Sequence, residues 1–248
     1  MAQSAPPDTS QPIEAAGGFL QREGAQPRFE GSSKLSSAAR TAMNEGRIFS
    51  VPHFSGSFES QGKAYPFTIV GAKPQSNGTT EVPVQIIPIS LFFEEFVDES
   101  GAPIVLDPGP IVSRVQSSPN FRSAQYATGM TQFADAVQRA QFYGAAGKEW
   151  HTLLGAPQIL KPLRIAVPRG DAKVYRNPST GVLYAIVDTD FFLSQLNTMI
   201  QMANLAPDAL SIALTSNVFL APQKDIKKCC VLGFHTSFDV GEMAQVKF

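Results

Sequence analysis

Lys227-Lys228-Cys229-Cys230-Val231-Leu232-Gly233-Phe234-His235-Thr236-Ser237-Phe238 is the stretch from which the rest of the chain is read. It reads as a strand, and it carries both cysteines and one of the three histidines. Ala244-Gln245-Val246-Lys247-Phe248 reads as another. A sheet that closes on a strand, with no helix or polar tail after it, is expected to be a piece of something longer. In a strand, Cys229 and Cys230 point to opposite faces. Two adjacent cysteines build no disulfide framework, and a cysteine zinc centre needs spaced pairs. They read as small packed thiols.

The composition narrows the classes. Apolar residues make up 43% of 248, enough for a core, and only 17% are charged. Eighteen phenylalanines and nineteen prolines suit a strand-rich fold. A net charge of −1 provides no general field for nucleic acid or an anionic membrane. No apolar run approaches the roughly 20 residues that span a bilayer. Met1-Ala2-Gln3-Ser4-Ala5-Pro6-Pro7 lacks the charged and apolar regions of a signal peptide. It fits the polar start of a mature secreted chain and an ordinary cytosolic tail equally well.

Residues 1–45 are rich in Gln, Ser, Pro, Ala and Gly and are expected to be a disordered arm, with a short helix at Ser36–Asn44. Residues 46–248 are expected to form one α+β domain. Phe49 to Phe58, a Gln61-Gly62 turn and Tyr65 to Val70 predict a hairpin. Val82 to Phe93 is a long apolar strand, whose Pro83 and Pro88 predict an edge, bend or bulge. Glu94 to Glu99 and Pro103 to Leu106 predict a second hairpin, and Lys173 to Arg176 with Val182 to Val187 a third, across turn formers Asn177 to Gly181. Glu149 to Leu154, Ile159 to Val167 and Leu210 to Leu220 read as further strands.

Two main helices interrupt the strands. Met130, Phe133, Ala134, Val137 and Ala140 recur at helical spacing and predict a buried face, with Asp135 and Arg139 as an i,i+4 pair on another face. The second helix follows Asp188 as N-cap, with Phe192, Leu196, Met199, Ile200 and Ala203 as its buried stripe and a break at Pro207-Asp208. The expected sheet is mixed and mostly antiparallel.

Complete catalytic motifs are missing. His53, His151 and His235 have no second histidine at helical ligand spacing, and neither H-E-x-x-H nor G-x-S-x-G occurs. Each histidine reads first as a hydrogen-bonded strand side chain. His235 is the residue to test if the chain is a hydrolase. Asp188-Thr189-Asp190 has the spacing of a carboxylate metal site, and helix capping explains it better. Glu94, Glu95, Asp98 and Glu99 read as a solvated edge rather than a calcium site. Asn77-Gly78-Thr79 reads as a turn rather than a glycosylation site. The residues specify no cofactor and no metal ligand.

Four segments in order carry a resemblance. They are Thr131 to Phe142, Trp150 to Leu154, Ser216 to Leu220, and Cys229-Cys230-Val231-Leu232-Gly233-Phe234-His235. Together they resemble a family of uncharacterised, secreted bacterial proteins over about residues 47 to 240. Longer members continue into another strand and a helix with a His-Glu pair, similar to a zincin metal site. The resemblance implies an extracellular or periplasmic, zincin-like and metallopeptidase-like scaffold, with zinc only in a longer form. This sequence has no His-Glu helix, so no metal or catalytic residue is carried over. The rival readings are a non-enzymatic extracellular binding or surface protein, holding a protein or peptide at its C-terminal sheet edge or on an exposed Phe patch, and a hydrolase using His235.

Overall fold

Alternation of aromatic and small polar residues builds the first hairpin, β1 (His53–Ser60) and β2 (Lys63–Val70). Gln61 and Gly62 both take positive φ, 52° and 73°, as the right-handed twist of a two-residue hairpin turn requires. The computed structural model describes residues 51–203, 205–206, 208–228, 233, 237–241 and 244–247. The expected N-terminal arm, the Ser36–Asn44 helix, both cysteines and His235 lie outside these residues. So does most of the Cys229 to Phe238 strand.

β3 (Gly78–Val82) leads into β4 (Val84–Val97), the long apolar strand. Ile86, Ile89, Leu91 and Phe93 are fully buried there. Each such side chain contributes about 1.5–3 kcal/mol of burial free energy. β5 (Pro103–Leu106) returns antiparallel along β4. A single-turn helix α1 (Val112–Gln116) and a small hairpin, β6 (Ala124–Tyr126) and β7 (Gly129–Thr131), follow. Then come α2 (Phe133–Gln141), β8 (Trp150–Leu154), β9 (Gln158–Ile159) and β10 (Leu163–Ala166). β11 (Ala172–Arg176) and β12 (Leu183–Asp188) form the third hairpin, and α3 (Thr189–Ala203) starts directly after it. β13 (Leu210–Leu214), β14 (Val218–Ala221), β15 (Ser237–Gly241) and β16 (Ala244–Lys247) complete the order.

The class is α+β with mixed sheets. The largest sheet runs β10-β4-β13-β16-β15, and β5 and β9 also pair with β4. β12 lies between β11 and β14 in a separate three-stranded sheet. Among the described residues parallel and antiparallel pairing are nearly balanced: β9, β10 and β13 all run parallel to β4, β14 runs parallel to β12, and β8 runs parallel to β3. Tight turns announce antiparallel pairs locally, whereas parallel partners arrive by long crossovers that leave no local mark. Among the described residues no helix is long and apolar enough to cross a membrane.

Pro88 sits on a central strand, not an edge. The carbonyls of Ile86 and Phe92 face the β9–β10 side, so Pro88 faces it too, between the end of β9 pairing at Ile86 and the start of β10 pairing at Ile89. The missing N–H falls where the partner changes, so no ladder bond is lost. Two expected strands are each divided. Ile159 to Val167 breaks around Lys161-Pro162 into β9 and β10. Leu210 to Leu220 breaks at Asn217, whose φ is 58°, so that β13 joins the β4 sheet and β14 joins β12.

The expectation for α3 holds where it is described: Phe192, Leu196 and Met199 are buried in the core beside Val187 and Leu220. α2 is turned the other way. Phe133 and Val137 on its apolar stripe are exposed, as is Met130, which lies in β7 before the helix, while Asp135 and Ala136 are buried. The cause is the free edge of β8. Thr152 N donates to Asp135 Oδ1 at 2.7 Å and Leu154 N to Gln132 Oε1 at 2.7 Å, while Gln132 Nε2 donates to Leu154 O at 2.8 Å. Polar side chains of the helix stand in for a neighbouring strand, so its polar face must turn inward.

Candidate ligand-binding groove

Asp135 and His151 form the most buried ionisable contact among the described residues. His151 Nδ1 donates to Asp135 Oδ2 at 2.8 Å, and Thr131 Oγ1 donates to the same oxygen at 2.6 Å. Asp135 does not pair with Arg139 as the spacing predicted. Arg139 donates instead to the Lys148 carbonyl at 3.0 Å, and its Nη1 lies 3.1 Å from His151 Nε2 and 3.4 Å from Nδ1. A nucleophile or metal at the imidazole would have to occupy the space that the guanidinium fills. The pair therefore clasps α2 to β8 and carries no chemistry of its own.

The other sequence candidates are also structural. His53 Nδ1 lies 3.0 Å from the Val51 carbonyl. Asp188 caps α3, with Oδ1 accepting from the amides of Asp190 and Phe191, both at 3.1 Å. Asp98 accepts from Ser100 N, Ser100 Oγ and Ala102 N in a turn. These bonds, the Ser100 hydroxyl first, hold its carboxyl below the usual carboxylate range. Glu95 Oε1 accepts from Arg169 N at 3.1 Å, and Glu99 meets Arg176 at 3.3 Å. Among the described residues no group of three His, Cys, Asp or Glu side chains could hold a metal ion.

The constellation that sequence reading missed lies at one end of the β11-β12-β14 sheet. β11 is antiparallel to β12 and β14 is parallel to it, so the start of β11 meets the ends of the other two strands. A groove of about 530 Å³ opens there, lined by Phe96, Arg169, Lys173, Val174, Tyr175 and Lys224 among others. Its three charged side chains are all cations. The carboxylates of Glu95, Asp188 and Asp225 nearby accept from backbone amides, and Asp171 closes the turn that Arg169 opens.

Local structure holds each cation in place. Arg169 opens a 3-10 turn before β11, and its guanidinium carbon stands 5.7 Å from the centroid of the Phe96 ring. Lys173 is exposed on β11. Gln223 and Lys224 take left-handed φ values of 56° and 55°, a conformation that costs side-chain-bearing residues about 1 kcal/mol or more each. Asp188 Oδ2 restrains that turn by accepting from Gln223 N at 2.7 Å. One carboxylate thus fixes both the start of α3 and the turn that presents Lys224.

Behind the groove-lining Tyr175 an aromatic row crosses the sheet. Tyr175 stacks on Tyr184 at 5.4 Å, and Tyr184 meets Phe219 edge-on at 5.7 Å. Burial, and secondarily Tyr175, raises the Tyr184 phenol above its usual range, so it stays neutral at physiological pH. Phe96 and Tyr175 beside three cations can take up an anion that also carries apolar groups. Comparison of the chain with protein-family models, curated proteins and solved structures finds no match.

Proposed function

We propose that this chain is a non-enzymatic binding module that holds an anionic ligand in the groove between Arg169, Lys173 and Lys224. The supporting observation is the convergence of three cations, from two loops and a strand, on one groove without an opposing carboxylate in its lining. Three cations in one groove lining attract an anion placed between them.

The family resemblance adds a setting to this reading: an extracellular or periplasmic, peptidase-like protein in which the module supports recognition. Among the described residues no three side chains that ligate zinc come together. In the zincin-like reading the metal belongs to a helix that this sequence does not contain. The hydrolase reading needs His235, which lies outside the described residues.

Fluorescence anisotropy with a labelled oligoglutamate tests the reading. Reversing a charge replaces about 1 kcal/mol of attraction with similar repulsion. Lys173→Glu combined with Lys224→Glu is expected to weaken binding at least about 30-fold. About 1 M salt, where the screening length is about 3 Å, should weaken it comparably. Equal affinity of variant and parent would contradict the assignment.

A further inference from the structure

The groove borders an unpaired strand edge, and the geometry points to an extended acidic polypeptide, paired with β11 as an added strand, as the ligand. This inference rests on the anion-binding reading of the groove and adds the class of partner.

β11 is the outer strand of its sheet. Asn177 N donates to Val182 O at 2.9 Å, which sets the phase of the ladder. Hydrogen-bonded pairs alternate along an antiparallel ladder, so Tyr175 with Tyr184 and Lys173 with Ile186 exchange the next bonds. The N–H and C=O groups of Ala172 and Val174 then point away from β12. Both residues line the groove. Ala172 is 3% exposed, so the edge is open at the half-buried Val174, whose N–H and C=O can meet one residue of an incoming strand. The exposed Arg176–Glu99 bridge marks its far end.

Charge then selects the sequence of that strand. A lysine on an edge discourages pairing with apolar or basic strands. Here Lys173 is joined by Arg169 and Lys224, so a strand with acidic side chains at alternate positions answers all three, because alternate residues share a face. Phe96 and Tyr175 provide apolar contact for its remaining groups. A small anion such as phosphate would satisfy the cations and leave the amide of Val174 unused. Main-chain pairing with side-chain selection is how added strands are recognised at sheet edges.

The test uses the full chain and a labelled decapeptide of alternating glutamate and valine, compared with the same peptide N-methylated at alternate amides. Methylation keeps the charge and removes strand-pairing donors. At least tenfold weaker binding of the methylated peptide is expected. Val174→Pro should reproduce that loss, since its amide faces away from β12; the methylated peptide reports on the wild-type fold should this variant not fold. Equal binding of the two peptides overturns strand pairing. Binding of inorganic triphosphate alone, abolished by Lys173→Glu, would overturn strand pairing and leave the anion groove standing. Binding of none of the three probes would overturn both.

Discussion

Asp135→Ala is expected to lower the free energy of unfolding by about 3–5 kcal/mol. The carboxylate is 1% exposed and accepts from Thr131 Oγ1, Thr152 N and His151 Nδ1. Alanine removes all three acceptor contacts at once and leaves buried donors without partners. An unmet buried donor costs about 1–3 kcal/mol, more if it is charged. His151→Ala should cost less, because its side chain is 22% exposed and water can reach the gap. Urea midpoints for the two single variants and the double variant separate the pair from its surroundings. If the clasp is a unit, the double variant will be little worse than Asp135→Ala. A loss below about 1 kcal/mol for Asp135→Ala would show that α2 is held by something else.

Phe93→Ala carries a similar expected loss, about 3–5 kcal/mol, for a different reason. Phe93 is 0% exposed on β4, and the ring of Phe96 stands edge-on to it at 6.2 Å. Truncation leaves a cavity in the main core and takes away the support of a groove-lining ring. Stability and ligand affinity should therefore fall together, whereas Lys173→Glu should lower affinity alone. Denaturant unfolding and anisotropy on the same preparations provide both readouts. Unchanged affinity in a folded Phe93→Ala protein would mean that Phe96 does not shape the groove.

What was legible in the sequence was local. Gln61-Gly62 and Asn177 to Gly181 mark hairpins because positive φ and side-chain-to-backbone bonds are properties of neighbouring residues. Asp188 marks the start of α3 for the same reason. The inversion of α2 was not legible from its apolar periodicity. Its cause is the edge of β8, about twenty residues downstream, whose amides need acceptors. Gln132, Asp135 and Arg139 do share a helical face, and that polar stripe was the one available sign. The parallel pairing of β13 on β4 joins Gln85 to Ser211, a partnership that no local pattern encodes.

The groove was invisible for a related reason. Arg169, Lys173 and Lys224 come from a turn, a strand and a left-handed turn, and they converge only once β14 has joined β12. Each alone is an unremarkable surface cation. The Asn217 kink that divides β13 from β14 makes the arrangement possible, because an unbroken strand from Leu210 to Leu220 could not serve both sheets.

Peptide-resolved amide hydrogen exchange, with and without the alternating glutamate–valine peptide, tests the central claim most directly. The account predicts slowed exchange in segments covering residues 169–175 and 222–225, with the exposed apolar face of α2 unchanged. Protection confined to residues 130–143, or found nowhere, would contradict it.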